Sequence, residues 1–179
     1  MTGRLPGDPA ARDEVARMIR VDHAGEYGAR RIYEGQLAVL GQSPAATAIR
    51  HMANQEKRHL EAFGRLIAER RVRPTALSPL WHVAGFALGA ASALLGERAA
   101  MACTVAVEEA IDAHYASQIE RLGDRDPALS STIAEFRGQE IEHRDTGLAH
   151  GAEEAPGYAV MTELVKAGTR AAIWLSTRI

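Results

Sequence analysis

The stretch Glu26-Tyr-Gly-Ala-Arg-Arg-Ile-Tyr33-Glu-Gly-Gln36-Leu37-Ala-Val-Leu40-Gly41 returns later in the chain as Glu108-Glu-Ala-Ile-Asp-Ala-His-Tyr115-Ala-Ser-Gln118-Ile119-Glu-Arg-Leu122-Gly123. With Glu26 set on Glu108, Tyr33 falls on Tyr115, Gln36 on Gln118, Leu37 on Ile119, and Leu40-Gly41 on Leu122-Gly123. The following segments agree too: Gln55-Glu56 with His59 matches Gln139-Glu140 with His143, and Ile49 holds the offset of Ile133. From the first glutamate to the second is 30 residues in one half (26 to 56) and 32 in the other (108 to 140). Any two amphipathic helices share apolar spacing, but that does not account for matched Tyr, Gln, Glu and His. The halves read as duplicated helical hairpins.

Working outward, turn signals cut the rest into helices. Asp8-Pro9 opens a helix running to about Leu40 through Val15, Met18, Ile19, Ile32 and Leu37. Gly41-Gln42-Ser43-Pro44 stops it, with Ser43 expected as N-cap of a second helix that carries Ile49, Met52, Leu60, Phe63 and Ile67 as far as Arg70. An apolar third piece covers Leu77 to Leu95, a fourth runs from Glu97 to Leu122, Asp126-Pro127 starts a fifth to about His150, and a sixth spans Tyr158 to Thr177. No strand-like run with hairpin turns appears, so the chain is all-α. Its 179 residues are 46% hydrophobic and 25% charged with seven prolines, which suits one globular domain over 1–179. A net charge of −2 argues against a nucleic-acid partner. The single cysteine, Cys103, excludes an intrachain disulfide framework and is expected as a small buried residue. The N-terminus lacks an apolar signal core, and an intracellular chain is expected.

Residues i and i+3 of a helix share a face, so Glu56 with His59, and Glu140 with His143, can each aim at one point. A lone Glu-x-x-His pair means little. Two copies at matching repeat positions, each preceded by a glutamate on the helix before, form the donor set of a two-metal carboxylate site in a four-helix bundle. The expected ligands are Glu26, Glu56, His59, Glu108, Glu140 and His143. Four buried carboxylates without partners would be prohibitively costly, and two divalent cations would neutralise them. Oxygen and imidazole donors suit iron or manganese, with zinc still open. The repeat selects Glu108 over Glu109, which points elsewhere.

Here a resemblance enters. Ile19-Arg-Val-Asp-His-Ala-Gly-Glu-Tyr-Gly-Ala-Arg-Arg-Ile-Tyr33, Gln55-Glu-Lys-Arg-His-Leu60, Arg71-Val-Arg-Pro-Thr75, Pro79-Leu-Trp81, Met101-Ala-Cys-Thr-Val-Ala-Val-Glu-Glu109 and Glu140-Ile-Glu-His143 resemble the signature of the demethoxyubiquinone hydroxylases. The likeness extends through Ala171-Ala-Ile-Trp-Leu-Ser176 and covers nearly the whole chain. It implies a ferritin-like four-helix bundle with an inserted apolar helix and a C-terminal amphipathic helix. It further implies two iron ions on the six positions named, and hydroxylation of the ring of a polyprenylated benzoquinol by O₂ and two electrons. The resemblance implies NADH or another donor as the source of those electrons; no glycine-rich dinucleotide fingerprint is present. His114 and Tyr115 are implied to lie near the substrate and electron path, though Tyr115 could instead pack beneath the site with its hydroxyl on a carboxylate. Where the family often has Tyr, this chain has Trp174, so a redox role there is doubtful.

Asp22 and His23, just before Glu26, could support a ligand or serve only the helix, and Gly25, Gly28 and Gly35 are expected to permit close helix contact, with a substrate channel there as the alternative. Residues 75–96 carry no Asp, Glu, Lys or Arg over 22 positions. A membrane span there would separate the two half-sites, so interfacial attachment is expected over a fully buried helix, with the last helix as a second contact surface. The membrane expected is the cytoplasmic face of a bacterial inner membrane or the matrix face of a mitochondrial one. A lipid-binding partner protein and a homo-oligomer are further implied. Rival readings are a ferritin-like di-iron oxidase or iron-handling protein, a non-catalytic membrane scaffold, and a hydroxylase of another lipid such as a fatty acyl chain.

Overall fold

Helices α1 (Ala11–Leu40) and α2 (Ala46–Glu69) form one hairpin and α4 (Glu97–Leu122) and α5 (Pro127–Ala149) the other in the computed structural model, which describes residues 11–179. Helices α3 (Ser78–Leu94) and α6 (Tyr158–Ser176) lie along the side where α1 and α4 meet. Among the described residues there is no strand. The expected opening of α1 at Asp8-Pro9 lies outside them.

Most boundaries follow the local chemistry that predicts them. Gly123 ends α4 with φ 48°, where a side chain would be strained. Asp126 caps α5, accepting the Leu129 N–H at 3.1 Å, with Pro127 at the first helical position. Arg70 pairs with the same carboxylate and holds it below its ordinary range, tying the end of α2 to the start of α5. Ser43 does not cap α2. Residues 43–46 form a turn in which the Ala46 N–H bonds Ser43 O at 3.1 Å, and the Ser43 hydroxyl is buried without a partner. Ala45 and Ala46, both buried, set the start two residues later than expected by packing against the core.

Two apolar clusters fill the bundle. One gathers Ile19, Phe63, Leu122, Leu129, Ile133 and Phe136, and the other Ile49, Met52, Met101, Ala102 and Val105. Along α2, Met52 belongs to the second and Phe63 to the first, so Glu56 and His59 lie where the two clusters meet. The α1–α3 contact is backbone on backbone. A Cβ on Gly89 would fall 1.9 Å from Ile32 O, and one on Gly35 2.2 Å from Phe86 O. Of the three α1 glycines expected to permit this contact, only Gly35 does so. Gly25 and Gly28 have open space where a Cβ would sit and border a cavity described below.

No helix among the described residues is long and apolar enough to cross a membrane. Nor is α3 fully buried: Leu80, Val83 and Leu94 are 51%, 65% and 75% exposed, and Val160, Leu164 and Trp174 add an apolar face on α6. Such an outward apolar surface is unusual for a helix packed only against its own chain.

Candidate metal centre

All six expected residues converge. Glu26 projects from α1, Glu56 and His59 from α2, Glu108 from α4, and Glu140 and His143 from α5, all fully buried. They form two overlapping quartets: Glu26, Glu56, His59 and Glu140; and Glu56, Glu108, Glu140 and His143. Within each quartet one donor atom per residue lies within 4.8 Å of all the others. Glu56 and Glu140 belong to both, the position of bridging carboxylates, while Glu26 and Glu108 each serve one.

Both imidazoles present Nδ1 inward. His59 Nδ1 stands 3.0 Å from Glu140 and 3.3 Å from Glu26; His143 Nδ1 stands 3.0 Å from Glu140 and 3.2 Å from Glu56. The His59 ring stacks on Phe136 at 4.1 Å between centroids, which fixes its plane. The tyrosines cross between the halves: Tyr33 of α1 donates to Glu108 Oε1 at 2.7 Å, and Tyr115 of α4 donates to Glu26 Oε1. Spacing alone indicated the shared face but not that each phenol serves the other hairpin's glutamate. Burial, reinforced by Glu108 and Glu26 respectively, pushes both phenols well above their ordinary range, so they remain neutral donors.

The electrostatics among the six side chains alone are conflicted. Burial, and then Glu140, push Glu56 and Glu108 well above the usual carboxylate range. Burial works against the charge of Glu140 as well, but His143 and His59 outweigh it and bring it down to about 2. Burial likewise opposes charge on His59, yet Glu140 and Glu26 hold it up to about 10. Glu26 Oε2, Glu108 Oε2, both oxygens of Glu56 and Glu140, and both histidine Nδ1 atoms are buried without a hydrogen-bond partner. Buried polar atoms are rarely left so. Eight of them around one centre fit divalent cations, which satisfy the donors and replace the protons. Glu109 takes no part: it turns outward to Lys166 Nζ at 2.5 Å.

Asp22 is buried rather than solvent-facing. It accepts from Gln118 at 2.7 Å and stands 3.3 Å from the partly exposed His114, and burial raises its carboxyl above the ordinary range. It orients these two residues rather than a residue of the quartets. His23 is partly buried, and desolvation lowers its ring. Cys103 is buried as expected, its thiol pushed up to about 12 by desolvation.

At Gly25 and Gly28 the less favoured of the two sequence readings, a channel, fits the structure better: a cavity of about 330 Å³ lies between α1, α3, α4 and α6. Its lining is almost wholly apolar and includes Gly25, Gly28, Trp81, Val107 and Ile111. None of the six cluster residues lines it, but Gly25 and Val107, which do, are the chain neighbours of Glu26 and Glu108 on α1 and α4. The signal for it was the glycine pair at 25 and 28, which reads equally as a helix contact.

A bundle whose two hairpins each bring a lone glutamate and a Glu-x-x-His pair to one buried centre is a ferritin-like carboxylate bundle. The chain belongs to the family of ubiquinone biosynthesis protein COQ7, whose model matches residues 13–176. It is 58% identical over 177 residues to the 3-demethoxyubiquinol 3-hydroxylase of Rhodospirillum rubrum, covering 98% of this chain and 84% of that protein. It is 56% identical over 175 residues to the mitochondrial NADPH-dependent 3-demethoxyubiquinone 3-hydroxylase of Mus musculus, covering 96% and 81%. Against the mitochondrial 5-demethoxyubiquinone hydroxylase of Saccharomyces cerevisiae, identity is 43% over 180 residues, covering 91% and 77%.

Proposed function

We propose that this chain is a 3-demethoxyubiquinol 3-hydroxylase, an O₂-dependent monooxygenase that places a hydroxyl on the benzoquinol ring of a polyprenylated ubiquinone precursor. One oxygen atom goes to the ring and the other leaves as water, with two electrons supplied from outside. Glu26, Glu56, His59 and Glu140 would hold one iron ion, and Glu56, Glu108, Glu140 and His143 the second. Bound iron supplies the redox chemistry that O₂ requires.

The chain's own residues do the rest. Tyr33 and Tyr115 each hold one oxygen of Glu108 and Glu26, leaving the other free to face a cation. Burial of all six donors keeps water from the reaction. The observation that carries the reading is an apolar cavity against the same two helices, α1 and α4, that supply Glu26 and Glu108: about 330 Å³ lies within the range of small-molecule sites, and its lining suits an aromatic ring with an apolar tail. His114 is only partly buried and its Nε2 faces Asp22 Oδ1, which suits a proton entering from solvent on the Tyr115 side. The exposed apolar faces of α3 and α6 suit peripheral attachment to the membrane in which the prenyl tail resides, or docking of a lipid-binding partner protein. The electron donor is a nicotinamide nucleotide, NADH or the NADPH for which the mouse relative is named.

The test is turnover of iron-loaded protein with a short-tailed demethoxyubiquinone, NADH or NADPH, and ¹⁸O₂, read by mass spectrometry. One labelled oxygen on the ring is expected. Oxygen consumption and iron oxidation without labelled product would refute hydroxylation and favour a ferritin-like oxidase.

A further inference from the structure

Gln55 and Gln139 have no part in the reading above, yet each stands one position before a glutamate shared by both quartets. Each also lies four residues before the histidine of its own helix, on the same face. The amides reach across the bundle instead. His143 Nε2 is 3.0 Å from Gln55 Oε1, His59 Nε2 is 3.0 Å from Gln139 Oε1, and Gln55 Nε2 donates to Gln139 Oε1 at 3.3 Å. Nδ1 of both rings faces the carboxylates. A ring nitrogen that lends its lone pair to a cation carries no proton, so the proton of each neutral imidazole sits on Nε2, which can then only donate. The two amide oxygens are the acceptors this requires. With its oxygen so engaged, Gln55 must turn its amide nitrogen toward Gln139.

Building on the metal reading above, we infer that Gln55 and Gln139 are positioning residues. Together they form one hydrogen-bonded bridge, His143 to Gln55 to Gln139 to His59, which holds both imidazoles as Nδ1 ligands and links the two metal positions. Its polarity is fixed: Gln139 Oε1 receives two donors and Gln55 Oε1 one. The acceptors are neutral, so they orient the rings without adding charge to a centre that already holds four carboxylates.

The test uses the full chain loaded with Zn²⁺, with bound zinc counted by mass spectrometry and the histidine Nε2–H groups observed by ¹⁵N NMR. Wild type is expected to hold two zinc ions and to show two Nε2 protons in slow exchange with water. Gln139→Leu should release the His59 proton into fast exchange, move the His143 resonance through the lost link to Gln55, and weaken zinc binding by about 10- to 100-fold. Gln139→Glu keeps an acceptor in place and should restore slow exchange at His59, which a loss of fold would not allow. Fast exchange of both protons in zinc-loaded wild type would overturn the bridge while leaving the metal reading intact. So would a His143 resonance unmoved in Gln139→Leu. A wild type that takes up no zinc would overturn the metal reading, and the bridge with it.

Discussion

Glu56 and Glu140 occupy equivalent places in the repeat, yet in the metal-free protein their removal should move stability in opposite directions. Glu56 meets one histidine, its Oε1 standing 3.2 Å from His143 Nδ1, while its other oxygen has no partner, and its carboxyl is driven well above the ordinary range by burial and by three neighbouring glutamates. An unsatisfied buried polar group costs about 1–3 kcal/mol. Glu56→Met keeps the side chain's length and removes that group, so the metal-free fold should gain about 1–3 kcal/mol, or roughly 2–10 °C in melting temperature at this chain length. Glu140 instead stands 3.0 Å from Nδ1 of both His59 and His143. Removing one partner of a buried ionic cluster costs about 3–5 kcal/mol, so Glu140→Met should melt well below wild type. Far-UV circular dichroism of chelator-treated protein reads both shifts. Iron counting after reconstitution should find that neither variant holds two ions. A Glu56→Met protein that melts below wild type, a Glu140→Met protein that melts above it, or two irons retained in either would refute the reasoning.

Stability of the metal-free protein should also depend on pH. His59 is held up from 6.5 to about 10, so the folded state keeps a proton that the unfolded state loses, and stability present below pH 6.5 is lost as pH rises through 10. Glu56 and Glu108, held protonated, act with the same sign above the ordinary carboxylate range; denaturant midpoints that stay flat between pH 6.5 and 10 would contradict this. Gly89→Ala drives a methyl into the Ile32 carbonyl, and overpacking of about 1–3 kcal/mol should exceed the gain of about 1 kcal/mol in helix propensity. A variant more stable than wild type would show that α3 does not press backbone to backbone on α1. Tyr115→Phe removes the hydrogen bond to Glu26 and should slow turnover with iron content unchanged; full activity would reduce Tyr115 to packing.

The repeat made the candidate site legible because metal-ligand chemistry demands particular side chains at particular offsets, which apolar spacing never does. Glu108 could be chosen over Glu109 from sequence alone, and Glu109 indeed turns away to Lys166. Helix ends were legible wherever a single residue decides them, as at Gly123 and Asp126. The start of α2 was not, because burial of Ala45 and Ala46 overrode the capping preference of Ser43. Periodicity reports the face on which a residue lies but not the helix that faces it. The crossing of Tyr33 to Glu108, and of Gln55 to His143, was hidden for that reason. Gly25 and Gly28 carried the same ambiguity: a missing side chain admits a neighbouring backbone or leaves a cavity, and only the path of α3 and α6 decides which.

The central claim is that six residues from four helices hold two metal ions side by side. Anomalous diffraction at the iron edge from crystals of iron-loaded protein tests it directly. Two peaks are expected, one among Glu26, Glu56, His59 and Glu140 and the other among Glu56, Glu108, Glu140 and His143. A single peak, or iron bound away from Glu56 and Glu140, would contradict the account.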